Sequence, residues 1–74
     1  MNDQAKLFEE PATNTITIDY EGNRYYISYD SSRRLTQPKW YAQRSSDLRV
    51  SERFYTYPEG AFSALTWGRI NWID

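Results

Sequence analysis

The sequence predicts a small α+β domain in which an antiparallel sheet of three to four strands carries one C-terminal helix packed on one face, in the order ββββα. Two segments of alternating polarity flank the turn residues Glu21-Gly22-Asn23, and this pattern is typical of a β-hairpin. A segment rich in alanine follows Pro58 and stops at Gly68, which is the pattern of a short helix. At 74 residues the chain has room for one such domain.

The first two strands are predicted from Thr13 to Tyr20 and from Arg24 to Tyr29. Between them, the residues Glu21-Gly22-Asn23 can adopt the positive φ angles that a tight turn requires. Side chains alternate between the two faces of a strand, so every second residue points inward. The inward residues of this hairpin are predicted to be Ile16, Ile18, Tyr20, Tyr25, Ile27 and Tyr29.

Two further strands are predicted after residues 30–38, whose composition is typical of a loop. The third strand spans residues 39–45 and the fourth spans residues 49–56. The same alternation assigns four of their residues to the core: Trp40, Ala42, Val50 and Phe54.

The helix is predicted to begin at a capping box. In this motif the Thr56 hydroxyl accepts a hydrogen bond from a free backbone N–H, and Glu59 follows three residues later, with Pro58 in the first turn. Gly68 is placed to end the helix, and a short closing strand is predicted within residues 70–73. The apolar residues of the helix are Ala61, Phe62, Ala64, Leu65 and Trp67.

Residues 1–12 are predicted to form a flexible tail, and residues 13–74 the single folded domain. The first segment is mostly polar and has no sustained period. No apolar run approaches the ~20 residues of a membrane-spanning helix, so we predict a soluble protein without a membrane partner. The absence of cysteine fits a reducing compartment, and we therefore expect a cytoplasmic protein.

The composition favours binding over catalysis. The chain contains no histidine and no cysteine, whereas 18% of its residues are Phe, Trp or Tyr. Histidine titrates near neutral pH, and cysteine is the easiest nucleophile and soft-metal ligand. The glycines are isolated, and no acidic spacing resembles a calcium loop. We therefore predict no enzyme activity, no cofactor and no metal site, with the aromatic residues divided between core and binding surface.

The charges are unevenly distributed along the chain. Residues 1–22 hold one lysine against five acidic residues, whereas residues 23–53 hold seven basic residues against three acidic ones. A basic middle segment can form an anion-binding face, or it can pair with the acidic ends of the same chain. The pI of about 5.3 disfavours a dedicated nucleic-acid-binding domain, because such domains are usually basic.

The outer face of the predicted sheet combines tyrosine with arginine. The residues predicted there to bind a partner are Arg24, Tyr26, Tyr41, Arg53 and Tyr55. Such residues are enriched at protein–protein hot spots, but they can also stack on bases and contact phosphates, or simply pair across strands and stiffen the sheet. In the nucleic-acid alternative, Arg33, Arg34 and Lys39 would contribute phosphate contacts.

The segment Gln4-Ala5-Lys6-Leu7-Phe8 resembles the short peptide by which many bacterial proteins bind the DNA polymerase sliding clamp, with the pattern Gln-x-x-Leu-Phe. The resemblance implies that Gln4 hydrogen-bonds at the rim of a groove, while Leu7 and Phe8 fill a hydrophobic pocket. A polar segment with one apolar anchor pair is typical of linear binding motifs. The alternative is that Leu7 and Phe8 fold back and cover an edge of the small core.

These observations predict a non-enzymatic binding or regulatory protein, a bacterial or phage-encoded inhibitor or adaptor. Its partner would be a larger protein or complex, such as the sliding clamp or other host machinery, and its mechanism would be occlusion. The C-terminal half also resembles small phage-encoded proteins that inhibit host enzymes. The alternatives are a small nucleic-acid-binding domain and a purely structural subunit. The protein is expected to be a monomer or a small homo-oligomer.

Overall fold

Residues 15–74 are described by a computed structural model, in which they form a five-stranded antiparallel sheet and one helix. The strands follow each other in the sheet in chain order, each pairing with the next. The predicted α+β fold is therefore confirmed, and the fifth strand is the closing strand expected within residues 70–73. The elements are β1 (Thr15–Tyr20), β2 (Asn23–Tyr29), β3 (Trp40–Arg44), β4 (Val50–Ser51), α1 (Pro58–Thr66) and β5 (Trp72–Ile73).

The hairpin of β1 and β2 is closed by a two-residue turn. Tyr20 pairs with Asn23, and the two residues between them both have positive φ, 51° at Glu21 and 81° at Gly22. This is the conformation of a type I′ turn, whose twist matches that of the flanking strands. The predicted hairpin is confirmed at the expected turn.

One face of the sheet is covered by α1, which packs across β2 and β3. The apolar residues buried within the described chain lie at this contact: Ile27, Ala42, Ala61 and Leu65. Ile27 and Ala42 are directly opposite each other on β2 and β3, and Ala42 and Ala61 are both fully buried. Because alanine side chains are short, the helix backbone can approach the sheet closely at this point.

Half-buried aromatic residues extend this core toward the ends of the sheet. Tyr25 stacks on Trp72 with ring centroids 5.8 Å apart, and Tyr29 meets Trp40 edge-on at 5.1 Å. The Tyr20 hydroxyl donates a hydrogen bond to the Thr66 carbonyl at 3.2 Å. The Tyr20 hydrogen bond ties the hairpin to the C-terminal end of the helix, and the Tyr25 contact ties it to β5. The aromatic content therefore partly serves the core, as predicted.

The predicted capping box is wrong, because the helix begins one residue later than expected. Its N-cap is Tyr57, in an extended conformation and without a side-chain cap, and Pro58 is the first helical residue. A residue before proline is sterically kept out of the helical region, so Tyr57 cannot be helical. Gly60 therefore occupies the position that a capping box reserves for Glu or Gln, and Thr56 lies outside the helix.

The C-terminal end of the helix is as predicted. Gly68 has a φ of 67°, its N–H bonds the Leu65 carbonyl, and the Arg69 N–H bonds the Ala64 carbonyl at 2.8 Å. This pair of hydrogen bonds defines a Schellman motif, which requires a left-handed residue after the C-cap. Glycine adopts that conformation without steric cost.

The fourth strand differs from its prediction in length and in orientation. It covers Val50–Ser51 instead of residues 49–56, and the chain bends before Tyr55 forms an isolated bridge with Trp40. Val50 pairs with Gln43, and this register turns Val50 away from the helix. Ser51 points to the helix side instead, because its Oγ accepts a hydrogen bond from the buried Ala42 N–H at 3.0 Å and donates to the Arg53 carbonyl.

The turn between β3 and β4 is organised by Asp47. Its carboxylate accepts hydrogen bonds from the Arg44 guanidinium at 2.8 and 3.1 Å and from the Arg49 backbone N–H. These hydrogen bonds, together with the positive charges of the two arginines, lower the pKa of Asp47 from 3.8 to about 2. The ionised carboxylate is therefore favoured by folding.

We expect the stability of the protein to decrease as the pH falls from about 4 to about 2. A depressed carboxyl pKa stabilises the folded state above the unfolded pKa of 3.8, and this contribution disappears as the pH passes through the folded value of about 2. Hydrogen bonds likewise lower the pKa of Asp19 and Asp30, so they share this direction. In thermal melts between pH 4 and pH 2, Asp47→Asn should reduce this loss of stability. A slope unaltered by Asp47→Asn would contradict the prediction.

Candidate functional site

The side of the sheet turned away from α1 is called the open face below. Strand register aligns one residue of each strand across this face, because directly paired residues point to the same side. The row runs from edge to edge through Thr17, Tyr26, Gln43, Val50 and Ile73. Within residues 15–74, no helix and no second sheet packs on it, and Arg33 of the loop between β2 and β3 lies over one end of it at Phe54.

A second group of open-face residues forms an aromatic cluster. Tyr41 packs against Phe54 with ring centroids 5.5 Å apart and planes inclined by 58°. The Arg33 guanidinium also lies over the Phe54 ring, with its Cζ 3.7 Å from the ring centroid. All three residues are half-buried, so their orientations are fixed before any partner binds.

Three of the predicted partner-binding residues lie together on the open face. Tyr26 and Tyr41 lie on the neighbouring strands β2 and β3, where they pair with Gln43 and Ser28 respectively. Arg24 lies at the start of β2, and its guanidinium is 2.8 Å from the Asp19 carboxylate of β1. The structure thus brings these three side chains to one surface, as the alternation of the strands predicted.

The assignment of Arg53 and Tyr55 to the outer face is wrong. Tyr55 bridges to Trp40 on the helix side, and a Cβ placed on Gly60 of α1 would lie 3.5 Å from the Tyr55 ring. Both residues line a polar pocket of about 340 Å³ between the sheet and Ala64 of the helix. The physical reason is the register of β4, since a shift of one residue moves every side chain to the opposite face.

The same register places three apolar residues on the open face that were not predicted there. Val50 and Phe54 were expected in the core, and Ile73 was not assigned; Ile73 is 44% exposed. The alternation of Val50 and Phe54 did indicate that they share a face. The pairing of Val50 with Gln43 shows which face this is. That pairing depends on the length of the turn between β3 and β4.

Three of the eight basic side chains within residues 15–74 pair with aspartates. Arg24 pairs with Asp19, Arg44 with Asp47 at 2.8 Å, and Arg49 with Asp74 at 3.1 Å. Of the seven basic residues of the middle segment, these three are paired, whereas Arg33, Arg34 and Arg53 form no ion pair within residues 15–74. These exposed pairs contribute little to stability, but they reduce the positive potential that a phosphate backbone would meet.

Lys39 does not lie on the surface where the nucleic-acid alternative requires it. The residue is buried, and its ammonium group donates hydrogen bonds to the carbonyls of Arg33 and Arg34, the latter at 2.6 Å. Lys39 therefore fastens the loop between β2 and β3 from inside. Arg34 is exposed, whereas Arg33 is held against Phe54, so the three residues do not form one basic patch.

A separate apolar groove runs between β1 and α1, along the edge of the sheet. It has a volume of about 350 Å³ and is lined by Ile16, Ile18, Ile27, Pro58, Glu59 and Phe62. β1 has a single strand neighbour among the described elements, so its other edge is unpaired there. Ile16 and Phe62 are 43% and 45% exposed, which leaves large apolar side chains accessible beside this edge.

The predicted clamp-binding residues Gln4, Leu7 and Phe8, like the predicted tail over residues 1–12, lie outside the described residues. In residues 15–74, no group of three or more acidic side chains is arranged to hold a metal ion. The helix found in that part of the chain is too short and too polar to cross a membrane.

Comparisons with known proteins give no relative for this chain. No protein-family model matches it, and neither the curated proteins nor the solved structures include a significant match.

Proposed function

We propose that this protein is a non-enzymatic binding protein whose open face docks on a larger protein partner. The observation that carries the proposal is the uninterrupted row from Thr17 to Ile73, which continues into the aromatic cluster of Tyr41 and Phe54. Flat, partly apolar surfaces bordered by polar residues are typical of protein interfaces.

The side chains of the open face have the properties of interface anchors. Tyr26 and Tyr41 each offer a large apolar ring together with a hydroxyl group, at a low cost in conformational entropy. Val50 and Ile73, paired on adjacent strands, add apolar area beside them. Arg33 is already stacked on Phe54, so its guanidinium can bind a partner carbonyl or carboxylate without losing much rotamer freedom.

The charge distribution favours a protein partner over a nucleic acid. Phosphate binding depends on several unpaired lysine or arginine side chains on one surface. Here Arg24 and Arg49 are paired with aspartates, and the Lys39 ammonium is bound to two carbonyls. The proposed mechanism is occlusion of a site on the partner, as in a bacterial or phage-encoded inhibitor or adaptor.

Capture experiments with matched variants test this proposal. Immobilised protein is incubated with nuclease-treated bacterial lysate, and the captured protein is identified, purified and titrated against the wild type and against Tyr26→Ala with Tyr41→Ala. Each lost anchor is expected to weaken binding by about 1–2 kcal/mol or more, so the double variant should bind at least ~10-fold less tightly. Added salt should change the affinity little.

Trp67→Ala is the matched control, because Trp67 is a 72% exposed aromatic residue of the helix end. It should bind the partner as the wild type does. Equal weakening by the control, or full binding by the double variant, would place the interface elsewhere. Binding of a purified DNA or RNA oligonucleotide with a steep salt dependence would favour the alternative function.

A further inference from the structure

We infer that the groove between β1 and α1 is the docking site of the chain's own apolar pair, Leu7-Phe8. The groove has an almost wholly apolar lining, and its outer walls are the exposed side chains of Ile16 and Phe62. Apolar surface of this kind is stabilised by burial against another apolar group. This inference concerns the free protein and does not depend on the proposed partner of the open face.

The described part of the chain begins beside the groove, so the segment that holds Leu7-Phe8 lies within reach of it. Thr15 begins β1, and the next residue, Ile16, already lines the groove. Phe8 lies seven residues before Thr15, and an extended chain of that length reaches about 23 Å. The far groove residue of β1, Ile18, is only about 10 Å along the strand from Thr15. The connection is therefore long enough to turn back and place Leu7 and Phe8 in the groove.

Charge complementarity supports the same occupant. Glu59 lines the groove, and within residues 15–74 its carboxylate forms no ion pair. Lys6 directly precedes Leu7 in the sequence, so docking of the apolar pair brings an ammonium group toward this carboxylate. Because the segment belongs to the same chain, its effective concentration at the groove exceeds that of any free peptide.

Docking in the groove would cover the two apolar residues of the clamp-type segment Gln4-Ala5-Lys6-Leu7-Phe8. Leu7 and Phe8 are the residues that a clamp-type partner would have to bind, and in the groove they are covered. A partner of the segment must therefore compete with the groove, so substitutions that destroy the groove would increase the accessibility of Leu7-Phe8. The groove would also protect the unpaired edge of β1 from pairing with other chains.

Paramagnetic broadening in NMR spectra tests the inference on the full chain. The protein contains no cysteine, so Ala5→Cys provides a single site for a nitroxide label, two residues before Leu7. The label should broaden the resonances of Phe62, which lines the groove, more strongly than those of Ala64, which lines pockets elsewhere on the same helix. Adding Leu7→Ser and Phe8→Ser to the labelled chain should restore the Phe62 intensity.

Two outcomes would overturn the inference. The first is equal broadening of Phe62 and Ala64, or broadening of Phe62 that persists after both serine substitutions. The second outcome is intermolecular broadening of Phe62. It is tested in a mixture of isotope-labelled protein without the nitroxide and spin-labelled protein without the isotope. Broadening of Phe62 in that mixture would mean that a second copy of the chain supplies the occupant. An unchanged Ala42 amide resonance verifies that each variant keeps its fold.

Discussion

Replacement of Ile27 by alanine is expected to lower the free energy of unfolding by about 2–5 kcal/mol. Ile27 is 1% exposed, and it is the largest fully buried side chain among the described residues. It pairs with Ile16 on one side and Ala42 on the other, at the centre of the contact with α1. The cavity left by the substitution cannot close easily, because both flanking strands hold their register.

The effect is large relative to the total stability of such a domain. A single core of this size provides on the order of 3–5 kcal/mol, so Ile27→Ala should leave a substantial unfolded population at 25 °C. Urea unfolding monitored by tryptophan fluorescence measures the change directly. Ile73→Ala is the matched control, because the same side chain there is 44% exposed and should cost well under half as much. Similar losses for both variants would contradict the assignment of the core.

Replacement of Lys39 by methionine is expected to cost about 1–3 kcal/mol, because it removes the ammonium donor from the Arg33 carbonyl and leaves the Arg34 carbonyl with the Gln37 N–H alone. Methionine retains most of the aliphatic volume, so the loss of the ammonium group is the main change. The loop over residues 30–38 should become more mobile, and Arg33 should lose its fixed position over Phe54.

Hydrogen exchange and urea unfolding measure this second effect. In the Lys39→Met variant, the amide of Gln37, which bonds the Arg34 carbonyl at 2.9 Å, should exchange faster. Arg34→Met is the control, because it removes a positive charge from an exposed side chain of the same loop and should change stability by less than about 0.5 kcal/mol. If Lys39→Met left the free energy of unfolding unchanged, Lys39 would not stabilise the loop, and its predicted role as a phosphate contact would again be open.

Along β4 the alternation of the residues was predicted correctly, but the wrong set of residues was assigned to the core. Alternation identified Val50 and Phe54 as neighbours on one side of β4, and the general preference for apolar cores assigned them inward. Ser51 occupies the inward position because its hydroxyl bonds the Ala42 N–H, which has no strand partner where the chain bends. A buried N–H must be satisfied, and this requirement outweighed the burial of a larger apolar side chain.

The sequence by itself determined the elements whose causes are local. The turn at Glu21-Gly22 and the helix end at Gly68 depend on positive φ angles, and each acts within a few residues. The alternation of β1 and β2 was sufficient to assign Tyr26 to the open face, because their short turn sets the register.

Tertiary structure alone decided the face of β4 and the burial of Lys39. The turn between β3 and β4 includes Leu48 at a φ of 61°, and its conformation determines whether Val50 or Ser51 turns toward the helix. One residue of register exchanges the two faces, and no local preference encodes that choice. Lys39 is buried because the Arg33 and Arg34 carbonyls, six and five residues earlier in the same loop, converge on its ammonium group, and the loop adopts this conformation only in the folded chain.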